Sequence, residues 1–191
     1  MAPSPKRHLL PLPKGHRSRE AASFVAQMEE LTGRMFADLR GITATELAWQ
    51  SKRGHNTIGM LLAHCAIVEL YWTAIALERW REELGETVLG IGVDDDGMPL
   101  EASGLPPKSL RGWSLRDYQA LMARSRKYVI RGTKGMTDAD MDRRIARTRH
   151  DGTRSVVSVR WILYHVMEHL AGHYGQMLLL RHQYADRRKK K

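Results

Sequence analysis

The chain has 191 residues, of which 27% are charged, a net charge of +10 and a single cysteine, Cys65. That length fits one domain with a real hydrophobic core, and one cysteine excludes an intramolecular disulfide and a cysteine-rich zinc site, so a reducing, cytoplasmic setting is the default expectation. The opening MAPSPKRHLLPLPKGHRSRE lacks the apolar core of a signal peptide and no run of eighteen apolar residues occurs, so a membrane is not an expected partner.

The excess charge sits at the two ends. Residues 1–19 hold five Lys/Arg and no acid, residues 181–191 hold six and one acid, and residues 20–180 balance at twenty of each. Residues 1–17 therefore read as a basic flexible arm and 185–191 as a basic tail around a folded body of 18–184. Such ends are more often solvated than specific, so nucleic acid is a partner the charge permits and does not favour. Within the body, 69–101 carries nine acids against two bases and 108–154 thirteen bases against five acids, a segregation that pairs naturally if the two stretches face each other.

In chain order, the first long helix starts after Ser18 and ends by Gly41, with Phe24, Met28, Leu31, Met35 and Leu39 on one face. Residues 42–56 form a connection with a short helical turn from Thr45 and Trp49 as its apolar plug. The second helix, capped by Asn56 or Thr57, runs to about Trp80, and its opening IGMLLAHCAIVELYW marks a helix buried on most of its circumference. Cys65 reads there as a small core residue. Residues 81–113 form one long connection in which Asp94-Asp95-Asp96-Gly97 lacks the spacing of a calcium loop and reads as an acidic turn. A capping box, Ser114 to Asp117, opens a third helix to about Arg131 with Leu115, Tyr118, Leu121, Met122, Ser125 and Val129 inward and a basic exposed side. Thr137 caps a short helix, Asp151-Gly152 marks a turn between two short strands, and the last helix runs from Ser158 to about Tyr184. The expected fold class is all-α: a four-helix bundle with long connections, at least one of them a crossover, and a minor hairpin or short helix before the last helix.

The last helix carries His165, His169 and His173, each four residues from the next and so on one helical face. A buried polar row needs partners, and a divalent ion would satisfy two imidazoles at once. His165 and His173 are separated by ~12 Å along the axis, so one ion takes either His165 with His169 or His169 with His173. A third protein ligand is then required, and His64 on the apolar second helix is the best placed. Glu69 is a candidate to orient a histidine on a neighbouring helix, with a solvated or salt-bridged glutamate as the equal alternative. Gly172 and Gly175 flank His173 and read evenly as room on an open side of the ion or as a close helix crossing.

The segment Asn56 to His64, Glu69 and Trp72, together with Arg160 to His169, His173 and Gly175-Gln176, resembles the DinB-like (DinB/YfiT-type) metal-binding four-helix-bundle family over most of 20–183. The resemblance implies a metal triad of His64, His169 and His173, with zinc or nickel as the divalent ion, and a homodimer, which the apolar surplus of the second helix and of Met177 to Leu180 also favours. His165 and Gln176 then join Glu69 as neighbours that support the ligands. Relatives include thiol-dependent S-transferases that use a low-molecular-weight thiol. Those of the mycothiol type carry an acid before an Arg-His pair in the last helix, where this chain has His169 and Gly172-His173, closer to the general metal-binding members. The functional expectation is a divalent-metal-dependent enzyme with three histidines and an open coordination position, a thiol-dependent S-transferase or a hydrolase. The alternatives are a metal-binding protein without chemistry and an interaction protein that contacts nucleic acid through its basic tails.

Overall fold

A computed structural model describes residues 9–98, 101–148 and 152–189. Ten elements follow in order: α1 (Arg19–Asp38), α2 (Ala44–Leu47), α3 (Ile58–Ala76), α4 (Leu84–Leu89), a 3-10 turn (Lys108–Leu110), α5 (Leu115–Thr133), α6 (Asp138–Asp142), β1 (Arg144–Thr148), β2 (Arg154–Ser158) and α7 (Val159–Lys189). The first eight residues of the basic arm, Asp151 of the expected turn and the last two lysines of the tail lie outside the described residues.

Helix starts follow local chemistry. Ser18 caps α1 by accepting from Ala21 N–H and donates its own hydroxyl to Asp138 at 2.6 Å, which ties the start of α1 to α6. Thr57 caps α3 by accepting from Met60 N–H, and Ser114 and Thr137 open α5 and α6 with reciprocal capping boxes.

The long helices α1, α3, α5 and α7 form the bundle, with α7 and α5 each lying between α1 and α3. Contacts across the seams give the directions. Gly59 sits against Tyr118, the Ser125 hydroxyl donates to the Ala66 carbonyl, and Gly132 sits against Leu77, so α3 and α5 are parallel. Glu20 pairs with Arg160 and Asp38 bonds Tyr174, so α1 and α7 are parallel as well. His64 meets His173 while Trp72 meets Trp161, so α3 and α7 are antiparallel. Because α5 runs parallel to α3, its neighbour in sequence, the chain must return the whole length of the bundle between them, and this sets the length of the 77–114 connection.

That connection is not the plain loop expected, since Leu84–Leu89 is helical and buries Leu89, and Leu110 anchors the 3-10 turn. In the 42–56 connection the buried plug is Leu47 and not Trp49, which lies at the surface, edge-on to Tyr184 of α7 at 5.5 Å. At the chain ends the expected loose segments are partly held. Arg17 N–H donates to the Lys134 carbonyl at 3.1 Å, and residues 185–189 extend α7 beyond Tyr184.

The core follows the predicted faces in two clusters, one with Leu31 and Met35 of α1 and its C-cap Leu39 beside Leu121 and Met122 of α5, the other with Met28 of α1 beside Val129 of α5 and Ile162, Leu163 and Val166 of α7. By length and composition α3 could cross a membrane, but 72% of its most apolar window is buried inside the protein. Most of its apolar surface is thus covered within the chain, Tyr71, Trp72 and Ile75 being only half-buried, and of Met177 to Leu180 it is Leu179 that is exposed. The acidic and basic stretches do face each other: Glu69 pairs with Arg126 and Glu78 with Arg143. Arg126 departs from the expected basic outer side of α5, being buried with its guanidinium on both Glu69 oxygens at 2.7 and 2.8 Å.

Candidate functional site

The antiparallel seam of α3 and α7 brings His64, two turns into α3, against the histidine row of α7. His64 Nε2 lies 3.1 Å from His169 Nε2, and His173 Nε2 lies 3.0 Å from the same atom. The candidate ligand atoms of the three side chains all fall within 4.8 Å of one another, and each ring is half-buried. His169 and His173, the second of the two helical pairs the spacing allowed, converge with His64. His165 does not, standing 5.9 Å from His169 between ring centroids.

Two rings are held from behind. Nδ1 of His64 donates to Asp96 Oδ2 at 2.8 Å, and the other oxygen of this buried carboxylate accepts from Met98 N–H at 2.9 Å. Nδ1 of His173 donates to Gln176 Oε1 at 2.8 Å. Both bonds place the proton on Nδ1 and leave a bare lone pair on Nε2. His169 Nε2 then has at most one proton to share between two lone pairs that face it. At least one nitrogen contact near 3 Å is left with no hydrogen in it, which is unfavourable unless a cation lies among the three.

The donor set fits such a cation. Imidazole–zinc bonds of ~2.1 Å at tetrahedral angles hold their nitrogens about 3.4 Å apart, close to the spacing found. Electrostatics act in the same direction. Burial first, and then the positive charge that His173, His64 and His165 would carry, push the His169 pKa down to about 3. His173 is lowered by burial, partly offset by its bond to Gln176. Both imidazoles are therefore neutral at neutral pH, the form a metal ion requires.

The remaining expected residues separate. Glu69 turns away from the histidines and takes the salt bridge with Arg126, so it orients none of them. Its place is five residues along α3 from His64, a step that rotates a side chain by ~140° off the line. His165 is stacked on Trp161 at 4.8 Å and 9°, its Nδ1 lies 3.6 Å from Glu168 Oε2, and among the described residues it is not bonded to Glu69 or to a carbonyl. Among the described residues Gly172 and Gly175 have nothing within 4 Å of an added Cβ, so no close helix crossing explains them, and at about 100° and 160° around α7 from His173 they face solvent. Asp96 was read only as part of an acidic turn. The available signal was its Asp-Gly step within a loop of functional length, and Gly97 does adopt φ +71° with Pro107 packed against it. Cys65 is a core residue as expected, its thiol pushed well up by burial and then by Glu69 and Asp96.

The sequence model of the mycothiol-S-transferase family matches residues 23–186. The chain belongs to this family. A search of curated proteins found no match. For a mycothiol-S-transferase family member the relation to thiol-dependent transfer is thus closer than the missing Arg-His pair of the last helix implied. The match spans α3 and α7 and hence all three converging histidines.

Proposed function

We propose that the protein is a divalent-metal-dependent S-transferase that joins a low-molecular-weight thiol to an electrophilic substrate, with His64, His169 and His173 as the metal ligands and zinc or nickel as the ion. One observation carries the reading: three Nε2 atoms face one another with too few protons between them, while the opposite nitrogens of His64 and His173 are committed to Asp96 and Gln176.

When bound, a divalent cation here supplies Lewis acidity that lowers the pKa of a thiol brought to it. The chain does the rest. Asp96 and Gln176 fix the tautomers, so the lone pairs are aimed before the ion arrives and little reorganisation remains. The reacting thiol comes from outside, because Cys65 is buried and protonated. Family membership supports a thiol as one of the two substrates.

The test is metal analysis of protein purified without chelator, followed by titration with zinc and nickel. About one ion per chain is expected. Protein that contains no transition metal and takes none up overturns the reading.

A further inference from the structure

The aromatic side chains around the histidine row continue past His165. That ring stacks on Trp161 and stands edge-on to Trp72 at 5.2 Å. Trp72 carries the guanidinium of Arg147, whose Cζ lies 4.2 Å from the ring centroid, and Arg147 also donates to the Tyr71 hydroxyl. The rings come from α3 and α7. The arginine comes from β1, on the face of the hairpin where Ile145 and Val157 reach the core. A shelf of π faces therefore runs from His169 to Arg147 through three successive contacts.

Packing alone does not account for this shelf. Trp72 packs in part against the core, but Trp161 is 39% exposed and Tyr71 and Arg147 are only half-buried. Arg126, Arg143 and Arg160 each have a carboxylate partner, but among the described residues Arg147 has none. A guanidinium drawn out of water without an anion forgoes the bidentate bonds that suit its shape. Its contacts with Trp72 and Tyr71 hold it in place, and among the described residues no carboxylate takes up its remaining donors.

We infer that this shelf is the subsite for the electrophilic substrate and that it takes a planar, π-bonded carboxylate. The planar part stacks on the exposed part of the Trp161 ring, and the carboxylate meets Arg147. The assignment rests on the proposed function for what stands at the other end, the three histidines. It adds the class of substrate and the residues that select it.

Binding of two probes to the full-length protein tests the assignment by calorimetry: 2-naphthoate, and 2-naphthylmethanol as its neutral counterpart. Wild type is expected to prefer the carboxylate at least tenfold. Arg147→Gln should bring the two affinities within about threefold of each other, and Trp161→Ala should weaken both by a similar factor of at least five. Arg154→Gln, on the outer face of the hairpin, should keep the wild-type preference. The ratio of the two affinities within one variant does not depend on the fraction folded, so a destabilised variant still gives an answer. No preference in wild type overturns the inference, as does a preference that survives Arg147→Gln, which would place the carboxylate on the histidine site instead. Loss of both probes together with a dimer-to-monomer change in Trp161→Ala overturns it too, because a second copy would then cover the shelf. Metal content measured on the same samples separates the two proposals. Metal without carboxylate preference removes only this inference, and preference without metal removes only the metal reading.

Discussion

Asp96 and His64 lie 32 positions apart in sequence and 2.8 Å apart in the fold, the carboxylate oxygen accepting from the imidazole Nδ1. The loop that carries Asp96 thereby determines which nitrogen of an α3 side chain faces α7. Removing this partner is expected to lower metal affinity by about 10- to 100-fold in Asp96→Ala. Asp96→Asn should fall between, since its amide oxygen still accepts from Nδ1 without a charge. Competition with a chelator of known affinity measures this, and an unchanged affinity in Asp96→Ala would show that His64 is not held as a ligand.

The histidine row divides into ligands and a bystander. His169→Ala should abolish metal binding, because His169 alone contacts both other rings through Nε2. His64→Ala and His173→Ala should weaken binding severely. His165→Ala should retain the metal and lose about 1 kcal/mol of stability with its stacking on Trp161. Loss of metal in His165→Ala with retention in His173→Ala would assign the ion to the other helical pair.

Glu69 and Arg126 form a buried ion pair between the parallel helices α3 and α5. Glu69→Ala leaves a buried guanidinium uncompensated and should cost about 3–5 kcal/mol in urea unfolding. Glu69→Leu combined with Arg126→Met should recover most of that loss, since two apolar side chains leave no charge unpaired. Metal stoichiometry should not change in folded Glu69→Ala. A loss of metal there would mean that Glu69 does act on the histidine site.

Cys65 gives the pH prediction. Its pKa is raised in the folded state, so above the ordinary thiol value of about 8.5 the unfolded chain releases a proton that the folded chain keeps. The stability associated with the neutral thiol is therefore present in full below that pH and declines as pH rises beyond it. Alkylation by iodoacetamide should accordingly stay slow in the folded protein at pH 9 and go to completion in guanidinium. Rapid single-site alkylation of the folded protein would make Cys65 a candidate nucleophile and remove the argument for an external thiol.

Much of the fold was legible in the sequence because its signals are local. Ser18, Thr57, Ser114 and Thr137 stand where helices begin, and all four do cap. The spacing of His165, His169 and His173 put them on one face of a helix that does form. What the sequence hid were contacts between side chains far apart in the chain. Arg126 looked like one more base on an exposed face until Glu69 stood opposite it, and Asp94 to Asp96 looked alike until one of them met His64. Trp49 reads from the sequence as the plug of the 42–56 connection, yet Leu47 is the buried residue and Tyr184 offers Trp49 an edge contact at the surface.

By itself the sequence determined the four long helices, their apolar faces and the candidate histidines, because helical period and capping act over a few residues. Which histidines meet was decided by the tertiary structure. The antiparallel seam of α3 and α7 fixes the height at which His64 arrives, and only His169 and His173 lie at that height. Asp96, Gln176 and Arg147 likewise gained their roles from what the packed bundle set beside them. A side chain's partner is a property of position in space, and in this chain those positions follow from helix directions that no local pattern encodes.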